Sequence, residues 1–575
     1  MKLSDYVVER LSEAGIKFAF GYQGGNIAHV IDSAERNSKM GFVTTYHEQG
    51  ASFAACGYAQ ANQGMGAAFA SSGPGAINLI SGIANAYYDS VPCVFITGNV
   101  TVQTMKTDPA IRQNAFQEND IVAMVREVTK YAVTIRNAED IRYHLEKALF
   151  LTRDGRPGPV LLDLPHNIQK TDIDPEKLCG FAPDAVAQEQ ALLEKVQQVK
   201  ELLRAAQRPV VVLGGGATSN QARTMMEHFL DQYRIPVVTT LRGLDAISHD
   251  HACYVGFGGA YGNRYANLAL KYSDLLLVLG SRLDERFIAT GDKAIFHNKR
   301  LIHVDVDSNE LNHILQETVS IHGTVEAFLE NIVSSPTEVV HYQAWNDVLC
   351  KWKERYPSVS KTGSFCANDV VFELTKRAPE HTHFFVDIGI SQMSVAQSAY
   401  IGKNQRIFTS AGHGAMGYSL PAAIGAAYAD GVANVICMVG DGALHMNIQE
   451  LLMLAKNHLP VHVVLFNNGC LGMIRDYQEK VFQANYAATR EEFQDVDYEA
   501  LAKAYRIEYL KVHTMEDVQQ AVRNIQTDHS SLIEVVLAEN SNTNPQLGVD
   551  MFTQLPLLTE QDIETIELEV QNASV

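Results

Sequence analysis

The stretch VGDGALHMNIQELLMLAKNHLPVHVVLFNN, residues 439–468, decides the fold of this chain. An apolar run ends in Gly440-Asp441-Gly442, a helical pattern follows at about 446–457, and a second apolar run ends in Asn467-Asn468. This order predicts a strand, a crossover helix and a parallel strand. The polar ends of the two strands are therefore expected at the same edge of one sheet.

These polar ends are suited to hold a metal ion and a diphosphate. Asp441 and Asn468 are 27 positions apart, which is the length of one crossover. A carboxylate oxygen and an amide oxygen can share a hard cation such as Mg²⁺, which also takes phosphate oxygens. The flanking glycines let the backbone approach a phosphate, and a following helix N-terminus favours its charge. Either motif alone would most often be a turn, but the pair at this spacing favours a cofactor site.

The same alternation of apolar runs and helical segments continues along the chain. It predicts an α/β fold of parallel sheets with helices on both faces, whose ligands bind at the carboxyl ends of the strands. The apolar runs that we interpret as buried strands are 67–72, 93–98, 159–165, 209–215, 274–280, 301–307, 435–442 and 461–468.

We interpret two aperiodic stretches as linkers. The first is 170–188, and the second is 334–345 with its continuation to 357–364. They predict three doubly wound parallel-sheet domains and a C-terminal segment that we expect to be an acidic surface tail. The predicted bounds are 1–172, 190–335, 360–545 and, for the tail, 546–575.

Composition narrows the possible partners. The 575 residues include 46 basic and 66 acidic side chains, a formal charge of −20. This charge argues against nucleic acid or an anionic membrane as the main partner. The eight cysteines form no CxxC pair, which favours reduced thiols. The N-terminus is charged and no apolar run of about 18 residues occurs, so we expect a soluble cytoplasmic protein.

Further motifs occur in a recognisable order along the chain. They are FGYQGGN (20–26), YHEQGASFAACGYAQA (46–61), SSGPGAINLISGIANAYYDSVP (71–92), AFQEND (115–120), GRPGPVLLDLP (155–165) and SAGHGAMGYSLPAAIG (410–425). Together with GDG followed by NN, this order resembles the acetolactate synthase branch of the thiamine diphosphate (ThDP)-dependent enzymes. The resemblance implies an N-terminal pyrimidine-binding domain, a central flavin-type domain and a C-terminal diphosphate-binding domain.

The resemblance assigns the catalytic role to Glu48, whose carboxyl group would hydrogen-bond N1′ of the aminopyrimidine of ThDP. A glutamate at the start of an apolar helix is otherwise explained by the helix dipole. Asp441, Asn468 and the backbone carbonyl of Cys470 would bind Mg²⁺. The contacts to ThDP that the resemblance implies come from Gly389, Gln392, Gly414, Met416, Gly440, Asp441, Gly442, Ala443, Asn468, Gly472 and Met473.

The central domain has Gly-rich turns after apolar runs, which by themselves are weak evidence for a nucleotide site. The resemblance implies bound FAD without a net redox change, with contacts from Arg156, Arg282 and Asp305. Relatives with this domain empty, or with another nucleotide there, remain an alternative.

The substrate region departs from the biosynthetic acetolactate synthases. Phe116 and Gln117 match positions that line the substrate funnel, although a helix start with a buried Phe is an equal alternative. Gln23 stands in place of a Pro, His413 in place of a Leu, and Tyr477 in place of the Trp that shapes the pocket for the second 2-keto acid. These changes leave the acceptor substrate open.

The leading hypothesis is a carboligase that decarboxylates pyruvate, a 2-keto acid, and transfers the two-carbon unit to a keto acceptor. Alternatives are a dedicated carboligase for a ketone such as a nucleotide-linked keto-sugar, a non-oxidative decarboxylase or lyase, a flavin-dependent oxidase, and a non-catalytic structural subunit. Because Glu48 and the metal segment come from different subunits in the family, the resemblance implies a homodimer or a dimer of dimers.

Overall fold

A computed structural model of the protein describes residues 1–108, 110–183, 189–288, 294–334, 342–360, 365–494 and 496–573. Residues 184–188, 335–341 and 361–364 of the predicted linkers lie outside the described residues. The described chain forms three six-stranded sheets, and every strand pair in them is parallel. The predicted α/β fold with three parallel-sheet domains is confirmed.

The first sheet has the strand order β2-β1-β3-β4-β6-β5. Its strands are β1 (Phe18–Gly21), β2 (Gly41–Thr44), β3 (Gly66–Ala70), β4 (Cys93–Asn99), β5 (Tyr131–Thr134) and β6 (Val160–Pro165). The helices around it are α1 (Leu3–Glu13), α2 (Ala28–Arg36), α3 (Glu48–Asn62), α4 (Pro74–Asn78), α5 (Ile80–Tyr88), α6 (Ile121–Val125), α7 (Ile141–Leu151) and α8 (His166–Gln169).

The second sheet has the order β12-β11-β10-β7-β8-β9. Its strands are β7 (Pro209–Leu213), β8 (Val237–Thr239), β9 (Tyr254–Phe257), β10 (Leu275–Leu279), β11 (Arg300–Asp305) and β12 (Val319–His322). The helices of this part are α9 (Glu189–Arg204), α10 (Asn220–Tyr233), α11 (Arg264–Tyr272), α12 (Glu285–Ile288), α13 (Ala294–His297), α14 (Val325–Ser334) and α15 (Gln343–Arg355).

The third sheet has the order β14-β13-β15-β16-β18-β17. Its strands are β13 (Thr382–Val386), β14 (Arg406–Thr409), β15 (Asn434–Gly440), β16 (Val461–Asn467), β17 (Glu508–Val512) and β18 (Ser531–Val536). Its helices are α16 (Ala367–Arg377), α17 (Ile390–Ser398), α18 (Ser419–Ala426), α19 (Asp441–Leu444), α20 (Leu451–Lys456), α21 (Gly472–Val481), α22 (Tyr498–Tyr505) and α23 (Met515–Asn524).

The central strands are buried on both faces, which explains their unbroken apolar sequences. In β10, for example, all five residues of LLLVL are buried. A strand covered by helices on both sides has no polar face, so its sequence does not alternate.

Helices α3 and α18 pack closely and connect the first domain to the third. A methyl group at Gly57 would collide with the carbonyl of Ala422, and one at Gly425 with the carbonyl of Ala54. Glycine is required at both positions because the two backbones touch. This contact holds the start of α3, where Glu48 lies, close to the third sheet.

The C-terminal segment differs from the predicted surface tail. A final helix, α24 (Glu560–Asn572), buries Ile566 and Val570 in the core of the middle domain. Glu569 accepts a hydrogen bond of 2.8 Å from Trp352 Nε1 and pairs with Arg355 at 2.6 Å. The acidic composition predicts a solvated tail, but apart from Glu569 most of the acidic residues lie on the exposed outer face of an amphipathic helix.

Candidate active site

Glu48 is the first residue of α3 and follows the carboxyl end of β2. Its Oε2 accepts a hydrogen bond of 3.0 Å from Asn78 Nδ2 on α4. A Cβ at Gly75 would lie 3.1 Å from Glu48 Oε1, so the glycine leaves room beside the carboxylate. Asn78 and Gly75 were not predicted as site residues, although both lie in the quoted SSGPGAIN motif after β3.

Gln23 and Gln117 lie on loops at the same edge of the first sheet. Gln23 is exposed, and its Oε1 accepts a hydrogen bond of 3.0 Å from the Gly24 backbone N–H. Gln117 has a φ of 63° and lies against Gly73, in the turn that leads to Gly75. Phe116 is 85% exposed and lies in a turn, so the alternative of a buried Phe at a helix start is not observed.

Glu118, which sequence reasoning missed, organises the loop that carries Phe116 and Gln117. Its carboxylate accepts hydrogen bonds from the backbone N–H groups of Lys106 (2.6 Å), Asn114 (2.7 Å) and Ala115 (3.1 Å). Burial raises the pKa of Glu118, but these donors outweigh it and hold the pKa below its ordinary value. The loop is therefore folded around one carboxylate.

The GDG segment lies at the carboxyl edge of the third sheet, as the spacing predicted. Gly440 ends β15, which pairs in parallel with β16, and Asp441 begins α19. Asp441 is 3% exposed, and burial raises the pKa of its carboxyl group to about 6. Its Oδ1 accepts a 2.7 Å hydrogen bond from Gly442 N, whereas Oδ2 is buried without a hydrogen-bond partner among the described residues.

The NN segment lies beside it, at the end of β16. Asn467 Oδ1 accepts from Gly469 N at 3.1 Å, and its Nδ2 donates to buried Glu534 at 2.6 Å. A Cβ at Gly472 would lie 2.7 Å from Asn468 Nδ2, so the start of α21 touches the Asn468 side chain. Cys470 is buried and Met473 is half-buried in the first turn of α21.

The turn with Gly414 and Met416 faces the GDG segment. Gly414 has a φ of 66°, and a Cβ at Gly442 would lie 3.4 Å from Met416 Cε. Buried Asp387 accepts hydrogen bonds from Gly417 N (3.0 Å) and Ser419 N (2.9 Å), and burial raises its pKa to about 6. Sequence reasoning missed Asp387, which stabilises this turn.

Four further predicted positions lie around this edge. Gly389 has a φ of 116° and is the N-cap of α17. On that helix, Gln392 Nε2 donates a hydrogen bond of 2.5 Å to Thr409 Oγ1, and Gln392 Oε1 has no hydrogen-bond partner among the described residues. His413 is exposed and stacks on Tyr88, with ring centroids 5.8 Å apart. Tyr477 on α21 is 54% exposed and meets Phe482 edge to face.

A cleft of about 540 Å³ lies between the middle sheet and the two other domains. Arg156, Arg282 and Asp305 all line it. Arg156 Nη1 donates to Glu310 at 2.7 Å, and Arg282 lies 3.6 Å from Asp284. Burial raises the pKa of Asp305, which accepts a 2.9 Å hydrogen bond from Asp307 N. The structure thus brings the three predicted flavin contacts to one cavity.

The two groups of predicted residues meet through neighbours of Glu48. Asn447 Nδ2 donates to Gln49 Oε1 at 3.3 Å, and Tyr46 N donates to Glu450 Oε1 at 3.0 Å. Burial raises the pKa of Glu450, another residue that sequence reasoning missed, to about 7. Within the described chain, no hydrogen bond or ion pair joins Glu48 itself to Asp441 or Asn468.

Two further features concern ligands and membranes. Among the described residues, no group of three or more His, Cys, Asp or Glu side chains is arranged to hold a metal ion. A Mg²⁺ site at Asp441 would therefore draw on amide, carbonyl and phosphate oxygens as well. In the described part of the chain, no helix is long and apolar enough to cross a membrane.

Three family models match successive parts of the chain. They are the N-terminal TPP binding domain (residues 1–124), the central domain (196–332) and the C-terminal TPP binding domain (387–535) of thiamine pyrophosphate enzymes. The fold and the site thus define a thiamine pyrophosphate enzyme, and the chain belongs to that family.

Similar proteins define the branch. The chain is 33% identical to the acetolactate synthase large subunit of Lactococcus lactis, over 95% of this chain and 94% of the relative. It is 34% identical to the acetolactate synthase isozyme 2 large subunit of Escherichia coli, over 95% of this chain and 97% of the relative. It is 33% identical to acetolactate synthase 1 of Zea mays, over 95% of this chain and 87% of the relative. The chain is therefore a ThDP-dependent enzyme of the acetolactate synthase-like branch, and the predicted family is confirmed.

Proposed function

We propose that the protein is a carboligase that decarboxylates pyruvate and joins the remaining two-carbon unit to the carbonyl carbon of a keto acceptor. The similarity to acetolactate synthases over almost the whole chain supports this reaction. The observation that carries the proposal in the structure is Asp441 Oδ2, which is buried next to the Asn468 backbone and has no hydrogen-bond partner among the described residues. A buried carboxylate oxygen without a partner is costly unless a ligand completes it.

The donor set at this edge fits Mg²⁺ and a diphosphate. Asp441 Oδ2, the side-chain oxygen of Asn468 and the carbonyl of Cys470 would hold the metal ion. Gly440, Gly442, Ala443 and the α21 residues Gly472 and Met473 would surround the diphosphate. Bound Mg²⁺ would also favour the ionised carboxylate of Asp441, against the burial that raises its pKa to about 6.

FAD fits the middle cleft, which Arg156, Arg282 and Asp305 line. Two guanidinium groups suit a diphosphate, and a carboxylate at the end of β11 suits a ribose hydroxyl. The overall reaction needs no oxidant, because carbon dioxide leaves and a carbon–carbon bond forms with uptake of one proton. The flavin would therefore act through its binding energy and not through electron transfer.

Thiamine diphosphate, when bound, supplies the carbon nucleophile and the electron sink for decarboxylation. Glu48 would hold a proton at the pyrimidine nitrogen, and its bond from Asn78 keeps the carboxylate at the strand end. The backbone carbonyl of Gly414 would accept a hydrogen bond from the amino group of the pyrimidine, and the Met416 side chain would lie beneath the thiazolium ring. Gln392, on α17 after Gly389, would lie at the diphosphate side of the site.

The acceptor would be bound by Gln23, Phe116, Gln117, His413 and Tyr477. A second candidate acceptor is a ketone larger and more polar than pyruvate, such as a nucleotide-linked keto-sugar. The observation that favours it is the exposure of Gln23, His413 and Tyr477, three polar side chains at positions that are Pro, Leu and Trp in the biosynthetic enzymes. Release of aldehyde without transfer would instead indicate a decarboxylase.

We also propose a homodimer, or a dimer of dimers, in which Glu48 of one subunit serves the cofactor held by Asp441 of another. This proposal rests on the family resemblance, which implies that the two groups come from different subunits.

The test is incubation of the purified protein with ThDP, Mg²⁺, FAD and pyruvate, with identification of the product by mass spectrometry. Acetolactate formation supports the leading proposal, and pyruvate consumption only after addition of another ketone supports the second candidate. No consumption of pyruvate in either mixture contradicts both. Glu48→Gln is the control, since it should bind the cofactor but lose turnover by about 100-fold or more.

A further inference from the structure

The turn of residues 410–416, which carries Gly414 and Met416, is held by the end of α5 from the N-terminal domain. Ser410 Oγ donates a 2.5 Å hydrogen bond to Asn85 Oδ1. The carboxylate of Asp89 accepts hydrogen bonds from Ala411 N at 3.2 Å and from Gly412 N at 2.8 Å. The position of the turn therefore depends on a residue more than 300 positions away in the sequence.

Asp89 also borders the middle cleft. It is 6% exposed and lines that cavity together with Arg242 and Arg282. Arg242 donates to the Asp89 backbone carbonyl at 3.4 Å. Burial raises the pKa of Asp89, whereas Arg242 and the two backbone donors oppose that rise. Asp89 thus connects the wall of the cleft, where Arg242 bonds its backbone carbonyl, to the turn, which its carboxylate holds.

We propose that Asp89 is a positioning residue that joins the middle cleft to the 410–416 turn, so that FAD in the cleft tightens the binding of ThDP. This inference rests on the proposed cofactors. It adds a role for a residue that touches neither the expected catalytic carboxyl group nor the metal segment.

Ala411 and Gly412 present two N–H groups to a single carboxylate, and hydrogen bonds to a charged acceptor are stronger than neutral ones. Without that acceptor the two donors, on half-buried Ala411 and exposed Gly412, would bond to water, and the turn would lose its tie to the N-terminal domain. The turn would then sample positions in which Gly414 and Met416 no longer meet the cofactor ring.

A ligand in the cleft acts beside the same residue, next to Arg242. It would displace water from the cavity beside Asp89 and immobilise Arg242, and hydrogen bonds strengthen when water is excluded. A ligand that stabilises one position of the turn raises the affinity for any second ligand that needs that position, and the effect is reciprocal.

The experiment is isothermal titration of ThDP, with Mg²⁺ present, into flavin-free and FAD-loaded protein. In the wild type we expect FAD to lower the dissociation constant of ThDP by about fivefold or more. In Asp89→Asn we expect a dissociation constant about tenfold higher, because one donor faces an amide N–H group, and the same value with or without FAD.

Asp245→Asn is the matched control. Asp245 is also a buried carboxylate at a domain boundary. It accepts hydrogen bonds from Arg406 Nε and Ile407 N on β14, and no described hydrogen bond joins it to the 410–416 turn. In this variant, the ratio of the ThDP dissociation constant without FAD to that with FAD should equal the wild-type ratio. If Asp89→Asn does not fold, as judged by circular dichroism and gel filtration, Arg242→Gln tests the cleft side and should reduce the ratio toward one.

A wild-type ratio of one, or an undiminished ratio in the variant that replaces Asp89 or Arg242, overturns the proposal. Failure of the wild type to bind FAD overturns both the coupling and the flavin assignment. None of these results bears on the carboligase proposal, which depends on the products formed from pyruvate.

Discussion

At the scale of single residues, the feature most tightly linked to the proposed cofactor binding is Asp441 Oδ2, which is buried without a hydrogen-bond partner in the described part of the chain. We expect Asp441→Asn to weaken Mg²⁺-dependent binding of ThDP by at least about 100-fold, because it removes the only charged ligand of the proposed set. Isothermal titration with and without Mg²⁺ measures this effect.

Asp430→Asn is the control for Asp441. Asp430 is exposed in the same domain and pairs with Lys17 at the surface, so its replacement should not alter cofactor affinity. Normal Mg²⁺-dependent binding in the Asp441 variant would contradict the assigned metal site.

Among these residues, Glu48, Asp441 and Asn468 could be predicted because they belong to motifs at strand ends. Glu118, Asp387 and Glu450 could not, because each is a carboxylate whose partners are backbone N–H groups of loops. Nothing in a local pattern states which backbone a buried carboxylate will meet.

At the scale of elements, Glu450 links the segment before α20 to the strand–helix turn that positions Glu48. Its folded pKa of about 7 lies above the ordinary value of 4.5, so it stabilises the fold most below pH 4.5 and loses that contribution as the pH rises through 7. We therefore expect wild type to gain stability relative to Glu450→Gln, by about 1–3 kcal/mol, as the pH falls from 8.5 to 5.

Urea unfolding of both proteins at the two pH values measures this difference. Because the two proteins share every other titratable group, the change in their stability difference between the two pH values isolates the Glu450 carboxyl group. A pH-independent difference for Glu450→Gln would show that the carboxyl group does not titrate in this range.

The last helix gives a second prediction at this scale. Ile566 on α24 is 1% exposed in the middle-domain core, whereas Leu568 on the same helix is 58% exposed. We expect Ile566→Ala to lower the free energy of unfolding by about 2–4 kcal/mol, and Leu568→Ala to change it by less than about 0.5 kcal/mol. Equal urea midpoints for the two variants would mean that the segment is a tail after all.

At the scale of the whole molecule, complementation tests whether the active site is shared between subunits. Glu48→Gln and Asp441→Asn should each be inactive alone. If the two residues act across the interface of a twofold dimer, co-expression should restore about a quarter of wild-type activity, because half of the dimers are mixed and each has one intact site.

The double variant mixed with wild type provides the reciprocal control. Mixed dimers of that pair should be inactive when the site is shared, and half active when each chain forms its own site. Pyruvate consumption by tandem-purified mixed dimers separates the two arrangements. Recovery only in this second mixture would contradict the proposed dimer.

The sequence by itself determined the fold class, the order of the three domains and most of the candidate cofactor residues. Buried parallel strands appear as unbroken apolar runs, and ligand-binding motifs follow them at the spacing of one crossover, so both signals are local. The predicted outer boundaries of the domains stay a prediction, since they fall in segments without a periodic pattern.

Only the tertiary structure decided how the domains act on one another. Asp89 meets the 411–412 backbone across 322 positions, and Glu450 meets Tyr46 across 404. The packing of α24 depends in the same way on a core built by the middle domain. Such contacts join segments that are far apart in the chain, and a local pattern shows that a side chain is polar or apolar without showing which distant partner it will meet.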